Sequence, residues 1–392
     1  MTSPVPDHDG PVPAPGGPLA GIRVLELAGL GPAPYGCLLL AELGADVIRI
    51  DRPGGAGLPQ APVDALNRSR LNLAVDLKAP GARDLMLRLV RDADVLVEGW
   101  RAGVTERLGI GPADCQAVNP RLVYARMTGW GQRGPLAERA GHDITYAALS
   151  GALHASGDTA KPRQAANLVA DFGGGSMFLV TGILAALLER SRSGLGQVVD
   201  VAMVDGAASL MTMIYGMHAH GAWLDQREAN LLDGGAPFYD TYECKDGKHV
   251  AVGALEPQFF ALLLDGLELP SDEFDQFDQA SWPRMRKTFA MVFATRDRDE
   301  WAARFQGTDA CVAPVLSLAE APGHPHLAVR ETFVPLADGF QPVVAPRFSR
   351  TPGRRPGEIR APGQDSRTVL TELGLAAGEI DALVAAGVVH QA

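Results

Sequence analysis

The chain has 392 residues, 46% of them hydrophobic and 21% charged, a balance suited to a globular protein with two domains. A formal charge of −11 argues against a nucleic-acid partner, and four scattered cysteines (Cys37, Cys115, Cys244, Cys311) argue against a disulfide framework or a zinc site and for a reducing cytoplasm. The longest apolar stretches, Leu179–Leu188 and Val201–Met217, are too short or too interrupted to span a bilayer, so no membrane contact is expected.

Residues 1–18 contain six prolines and no apolar core, and read as a disordered leader rather than a signal peptide. Ile22–Leu27 is a short run with β-branched residues, hence a strand, followed by the turn Gly29-Leu30-Gly31-Pro32-Ala33-Pro34. Tyr35–Leu43 reads as a buried helix closed by Gly44, and Asp46–Ile50 as the next strand. Residues 67–78 (NRSRLNLAVDLK) read as a basic loop. A second cycle then gives a helix over 81–91, a strand over 94–98, short helices near Val104 and Pro112, and a strand over 122–126. Strands alternating with helices imply a parallel sheet with helices on its faces.

Further along, Gly175–Arg190 is a strong apolar helix, and residues 197–217 hold a strand and a second apolar helix. The runs PFYDTYEC and HVAVGAL flank Lys245-Asp246-Gly247-Lys248, which is hairpin turn chemistry. The shift in composition marks a smaller α+β domain. Pro342–Pro362 is a proline- and arginine-rich connector, and residues 378–389 read as a terminal helix. The expected layout is a leader over 1–18, a large α/β domain over 19–225, a small α+β domain over 226–335, and a return segment with the terminal helix over 336–392.

Basic residues gather after the expected strands: Arg49 and Arg52, then Arg68, Arg70 and Lys78, then Arg101 and Arg107. Open α/β sheets bind ligands at the carboxyl ends of their strands, and arginine and lysine there suit a ligand with several phosphates. Solvated surface charge is the plain alternative. A dinucleotide site fits poorly, because Pro32 and Pro34 remove N–H groups from the turn that would cradle the pyrophosphate.

Among candidate catalytic groups, His142 and Asp143 lie side by side in GHDITY, although a lone histidine is more often structural than catalytic. Asp171 precedes a triple glycine (Gly173 to Gly175), whose free N–H groups at a helix start would favour an enolate; the alternative is a turn cap with glycines for tight packing. Glu256, ahead of Pro257, is a supporting acid or simply complements a helix start. Met203, Met211, Met213 and Met217 suit a core or a surface accepting varied acyl chains. His218-x-His220 and His324-x-His326 lack a third ligand, so no metal site is assigned.

These segments together resemble the family III CoA-transferase superfamily of the CaiB/BaiF type and, within it, the α-methylacyl-CoA racemases. The resemblance runs through PLAGIRVLELAGLGPAPYGCLLLAELGADVIRIDRPGG (Pro18–Gly55), NRSRLNLAVDLK, ADVLVEGWRAGVTERLGIGP, RLVYARMTGWGQRGP, GHDITY, NLVADFGGGSM, GQVVDVAMVDG and VAVGALEPQFF. It implies an interlocked homodimer with a Rossmann-like large domain, a small domain, and a site at the interface between domains. By position, His142 and Asp171 become the acid/base pair, with Asp143 and Glu256 in support. Arg52, Val75, Asp76, Leu77, Lys78, Gly99, Trp100, Arg101, Arg107 and the stretch from Gly141 to Tyr146 would hold CoA. In the transferase branch the aspartate at position 171 is instead a nucleophile, the GHD histidine is missing, and a later glycine-rich loop covers the site. This chain has His142 and no such loop between Gly206 and Pro335. The resemblance therefore implies racemisation of a 2-methylacyl-CoA thioester through an enolate, with CoA as part of the substrate and no separate cofactor. The alternatives are a CoA-transferase and a non-catalytic acyl-CoA-binding protein.

Overall fold

The computed structural model describes residues 16–55, 65–336 and 339–392, so most of the expected leader lies outside the described residues. The chain forms two compact units. One comprises the residues through Tyr146, Asn167–Ser209 and Gln341–Ala392; the other comprises Ala147–Ala166 and Leu210–Phe340.

In the first unit a central sheet is built from β1 (Arg23–Leu27), β2 (Asp46–Asp51), β3 (Leu71–Val75), β4 (Val95–Glu98), β5 (Val123–Thr128) and β6 (Val198–Ala202). Their spatial order is β3-β2-β1-β4-β5-β6, all neighbours parallel, with a terminal strand Val389–His390 antiparallel on the outer side of β3. The order reverses between β1 and β4, which is the switch point where doubly wound sheets leave a crevice for ligand. Apolar runs form these strands because helices cover both faces; all four residues of β4 (VLVE) are buried.

The helices α1 (Pro32–Glu42), α2 (Ala82–Arg91), α3 (Val104–Arg107), α4 (Pro112–Val118) and α5 (Asp143–Leu149) follow in turn. Helix α1 begins at Pro32, earlier than its sequence suggests, since a proline loses no hydrogen bond in a first helical turn. On one face, Leu25, Ile48, Leu73, Met86, Leu96 and Tyr124 pack with Val369, Leu370 and Ile380 of the returning C-terminal segment.

Two elements differ from expectation. The stretch read as a basic loop contains β3, and the polar residues around its start are satisfied inside the fold: Arg70, just ahead of the strand, pairs with Glu26 at 2.7 Å, and the Asn72 amide donates to Asp51 Oδ2 at 3.0 Å. The terminal helix stops at Ala385, and Val389 then aligns with Val75 as a strand.

The segment Leu168–Ser176 is a π-helix that runs directly into α6 (Met177–Ser193). Together they make one helix of 26 residues, long and apolar enough to cross a bilayer, with 33% of its most apolar window buried. Taken alone, residues 175–190 hide this length. The helix packs on α1, β5 and β6, and Gly174 meets Gly206 of α7 (Met203–Leu210) so closely that a β-carbon on either would clash with backbone.

The second unit holds α8 (Thr212–Ala219) and a three-stranded antiparallel sheet of β7 (Tyr239–Glu243), β8 (His249–Gly253) and β9 (Val312–Pro314). The hairpin turn closes with Cys244 N donating to Lys248 O at 2.7 Å, and Gly247 takes φ 74°, a left-handed conformation that suits glycine. Helices α9 (Pro257–Gly266), α10 (Trp282–Phe293) and α11 (Arg298–Phe305) cover it around an aromatic core of Phe238, Phe260, Phe289, Phe293 and Trp301.

Candidate active site

His142 precedes the first residue of α5, and its backbone is fixed by Thr145. The His142 N–H donates to Thr145 Oγ1 at 3.0 Å, and its carbonyl accepts from that hydroxyl at 2.7 Å. The imidazole is exposed. Asp143, the next residue, is 5% exposed, and its Oδ1 accepts from the N–H groups of Ala170 at 2.7 Å and Asp171 at 2.8 Å. Its Oδ2 is buried without a partner among the described residues. One carboxylate thus ties the start of α5 to the π-helical turn that carries Asp171.

This clamp corrects the expectation of a free helix start beside Asp171. The two N–H groups are already spent on Asp143, and the glycines lie inside a continuous helix whose wide turn closes with Met177 N donating to Phe172 O. Gly174 serves close packing instead. π-helical turns are rare and are frequently found at functional sites.

Asp171 is half-buried. Burial raises its carboxyl above the usual range, and the charge of Asp143 adds to the rise. The Asn167 amide, 3.3 Å from Oδ2, and His142 pull the other way without cancelling it. The turn after β1 flanks this carboxyl: a β-carbon on Gly31 would lie 3.8 Å from Asp171 Oδ2. Ser176 fixes the same turn by donating to Pro32 O at 2.7 Å, and Tyr35 meets Phe172 with ring centres 4.8 Å apart.

Tyr146 is 5% exposed, and burial, reinforced by Asp171, pushes its phenol up to about 12. Its ring occupies the space that β-carbons on Gly129 and Gly141 would need, and Trp130 meets it edge-on at 4.7 Å. Those two glycines are therefore required by the ring.

The basic residues divide sharply. Arg49 pairs with Glu26 at 2.6 Å and Asp51 at 2.9 Å, Arg68 pairs with Glu42 at 2.6 Å, and Arg70 pairs with Glu26. All three are buried ions held by carboxylates inside the fold. Arg52, Lys78, Arg101 and Arg107 are exposed, after β2, after β3, after β4 and at the end of α3. Asp76 Oδ1 accepts from Lys78 N at 3.0 Å, which shapes the Asp76-Leu77-Lys78 turn. Val75 is 1% exposed, so its side chain belongs to the core. Gly99 and Trp100 follow β4, and the Trp100 indole donates to Ala28 O at 2.9 Å, bridging the switch point. Glu256 stands in the second unit, exposed ahead of α9, with its carbonyl accepting from Phe259 and Phe260 and no side-chain cap bond.

Sequence reasoning passed over Glu98 and Arg126, a buried pair 2.8 Å apart on the neighbouring strands β4 and β5, and Glu106, which pairs with the same arginine at 2.8 Å. The available signal was a charge inside each of two otherwise apolar strands, VLVE and VYARMT. Asn167, the amide beside Asp171, carries no such signal.

Comparison with known proteins gives a consistent result. Residues 19–366 match the family described as CoA-transferase family III. The chain is 46% identical to the alpha-methylacyl-CoA racemase of Mus musculus over 92% of its own length and 95% of that protein. With the Homo sapiens alpha-methylacyl-CoA racemase it shares 44% identity over the same fractions. A crystal structure of a CaiB/BaiF family protein from Brucella suis superposes with a TM-score of 0.79 at 24% identity, covering 91% of this chain and all of that one, which shows the same fold.

Proposed function

The chain belongs to the family III CoA-transferases, and on that footing we propose that it interconverts (R)- and (S)-2-methylacyl-CoA thioesters. One observation carries the reading: the Asp143 carboxylate accepts from the Asp171 N–H, which joins the start of α5, where His142 stands exposed, to the turn bearing a half-buried carboxyl whose hold on its proton burial has strengthened.

A proton α to a thioester leaves when the resulting enolate is stabilised, and inversion needs an acceptor and a donor on opposite faces of that planar species. Neutral His142 takes the proton from the S substrate while protonated Asp171 supplies one to the other face; the reverse reaction exchanges their roles. The raised carboxyl of Asp171 suits it to carry that proton. Asp143 holds the Asp171 backbone in place through its two N–H contacts. Such proton transfer requires no redox step, so CoA enters as part of the substrate and the reading needs no separate cofactor.

In this reading Arg52, Lys78, Arg101 and Arg107 contact the CoA phosphates, and Asp76, Leu77, Gly99, Trp100 and Gly141 shape the loops around them. The working form is a cytoplasmic homodimer in which Glu256 of one copy supports His142 of the other. Apolar surface supports a second copy: Leu188 on α6 is 66% exposed, Leu195 58%, and Val198 on the edge strand β6 42%. Sedimentation at low concentration should find no active monomer; an active one overturns the shared site.

The reaction itself is tested with a 2-methylacyl-CoA in heavy water, with and without a free acid acceptor. Deuterium at the α-carbon without movement of CoA is the expected result. CoA transfer to the acid in place of exchange would assign a transferase using Asp171 as nucleophile. Tight binding with neither reaction would leave an acyl-CoA-binding protein.

A further inference from the structure

We propose that Arg126 is a positioning residue for the nucleotide end of the CoA thioester, holding the β4 loop and α3 in register through Glu98 and Glu106. The inference rests on the CoA reading above and extends it to residues that touch no part of the substrate.

Burying the pair of Glu98 and Arg126 carries a cost. Glu98 is fully buried and Arg126 is 6% exposed. Placing an ion pair in a sheet is often no more stabilising than packing apolar side chains there. These two face each other in the register of β4 and β5, and each guanidinium nitrogen and both Glu98 oxygens make a hydrogen bond. Glu98 Oε1 accepts from Arg126 Nε at 2.8 Å, and Glu98 Oε2 accepts from the N–H of Trp100 at 2.8 Å. The outer edge of the guanidinium then reaches α3, donating to Glu106 Oε1 at 2.8 Å and Oε2 at 3.3 Å. Burial opposes the charge on Arg126, yet its two carboxylate partners hold it above its ordinary value.

What the brace holds is informative. On one side is the turn Gly99-Trp100-Arg101, whose tryptophan also bonds to Ala28 O across the switch point. On the other is α3, four residues long and without a side-chain cap bond, too short to persist by itself. Arg107 lies next to Glu106 on that helix. The side chains proposed to meet the CoA phosphates, Arg101 and Arg107, therefore sit on two short elements that share Arg126 as their common anchor. A planar guanidinium can hold two carboxylates in fixed directions, which a lysine cannot.

The test compares an acyl-CoA with the corresponding acyl-pantetheine, which has the same thioester and lacks the nucleotide. Arg126→Met keeps much of the stem and removes the fork. It should raise KM for the acyl-CoA about tenfold or more, while KM for acyl-pantetheine and kcat for both substrates stay near wild type. Glu106→Gln, whose side chain is 45% exposed, cuts only the outer half and should move the same ratio in the same direction by roughly threefold, consistent with one weakened charge-assisted contact. It also keeps the test open should Arg126→Met fail to fold. Arg126→Lys should fall between the two. Equal changes for both substrates, or a loss confined to kcat, would overturn the brace. If the wild-type enzyme itself shows no preference for the CoA ester over the pantetheine ester, the failure lies with the proposed CoA site instead.

Discussion

Arg49 and Arg52 stand three residues apart at the end of β2, yet Arg49 is 4% exposed and locked between Glu26 and Asp51, whereas Arg52 lies open at the edge of the sheet. The same contrast separates Arg70, paired inside the fold, from Arg101 on the loop after β4. In a linear sequence the four look alike: a cation near a strand of an α/β sheet. Burial divides them, because an arginine drawn inside the fold must find a carboxylate, while one exposed beyond a strand end can turn to a ligand. One set should therefore govern stability and the other affinity.

The largest expected effect breaks the buried set. Glu26→Ala leaves the guanidinium groups of Arg49 and Arg70 without their shared carboxylate. Removing one partner of a buried ion pair costs about 3–5 kcal/mol, so urea unfolding at neutral pH should show a loss of that size. A loss under about 1 kcal/mol, the range of an exposed pair, would place these arginines with the surface set.

Next in size is the proposed chemistry. His142→Ala and Asp171→Asn should each slow racemisation by at least roughly a hundredfold with CoA affinity nearly unchanged, since general acid–base groups supply about 10²–10⁴ in rate. Retained activity in either variant removes that residue from the mechanism.

The exposed set comes third. Arg52→Ala and Arg101→Ala should raise KM by about tenfold with kcat at saturation little changed, because phosphate contacts are made alike in ground and transition states. Added salt should weaken wild-type affinity and narrow the gap to the variants. A salt-independent KM would show that these arginines do not meet the phosphates.

The smallest effect concerns Asp171 and stability. Its carboxyl is raised in the folded state, so folding favours the protonated form, and the ionised form costs stability once pH exceeds the folded value. Asp171→Asn removes that cost. The variant should melt above wild type at neutral pH, and the gain should fade as pH falls through the raised folded value and be gone below about 4, the ordinary range of an unfolded aspartate. A variant that melts lower at every pH would mean the carboxylate is net stabilising where it sits.

The legible parts of the molecule were those whose burial and polarity agree. The strands at 22–27, 46–50 and 94–98 and the hairpin around Gly247 stood out because apolar runs and turn residues mark them directly. β3 reads as a loop because Asn72 within it and Arg70 just ahead of it are polar, and they are satisfied by Asp51 and Glu26, 21 and 44 positions away. The terminal strand was hidden for a similar reason: Val389 pairs with Val75, a contact that no local pattern announces. At the site, Asp171 and its glycines were visible, but the clamp from Asp143 was not. It depends on a π turn bringing two N–H groups to a carboxylate 27 and 28 positions earlier. The brace through Arg126 was missed because charge in a strand reads as an edge or an error until its partners are seen.

The central claim, two groups serving opposite faces of one enolate, is tested most directly by following deuterium wash-in from each pure enantiomer in heavy water. Wild type should label both enantiomers with inversion. With the acid/base pair reduced to one member, the remaining group can still remove and return a proton on its own face. His142→Ala and Asp171→Asn should therefore each lose exchange from one enantiomer, and the two losses should be opposite. If both variants lose exchange from the same enantiomer, or both still label either one at the wild-type rate, His142 and Asp171 do not divide the two faces between them.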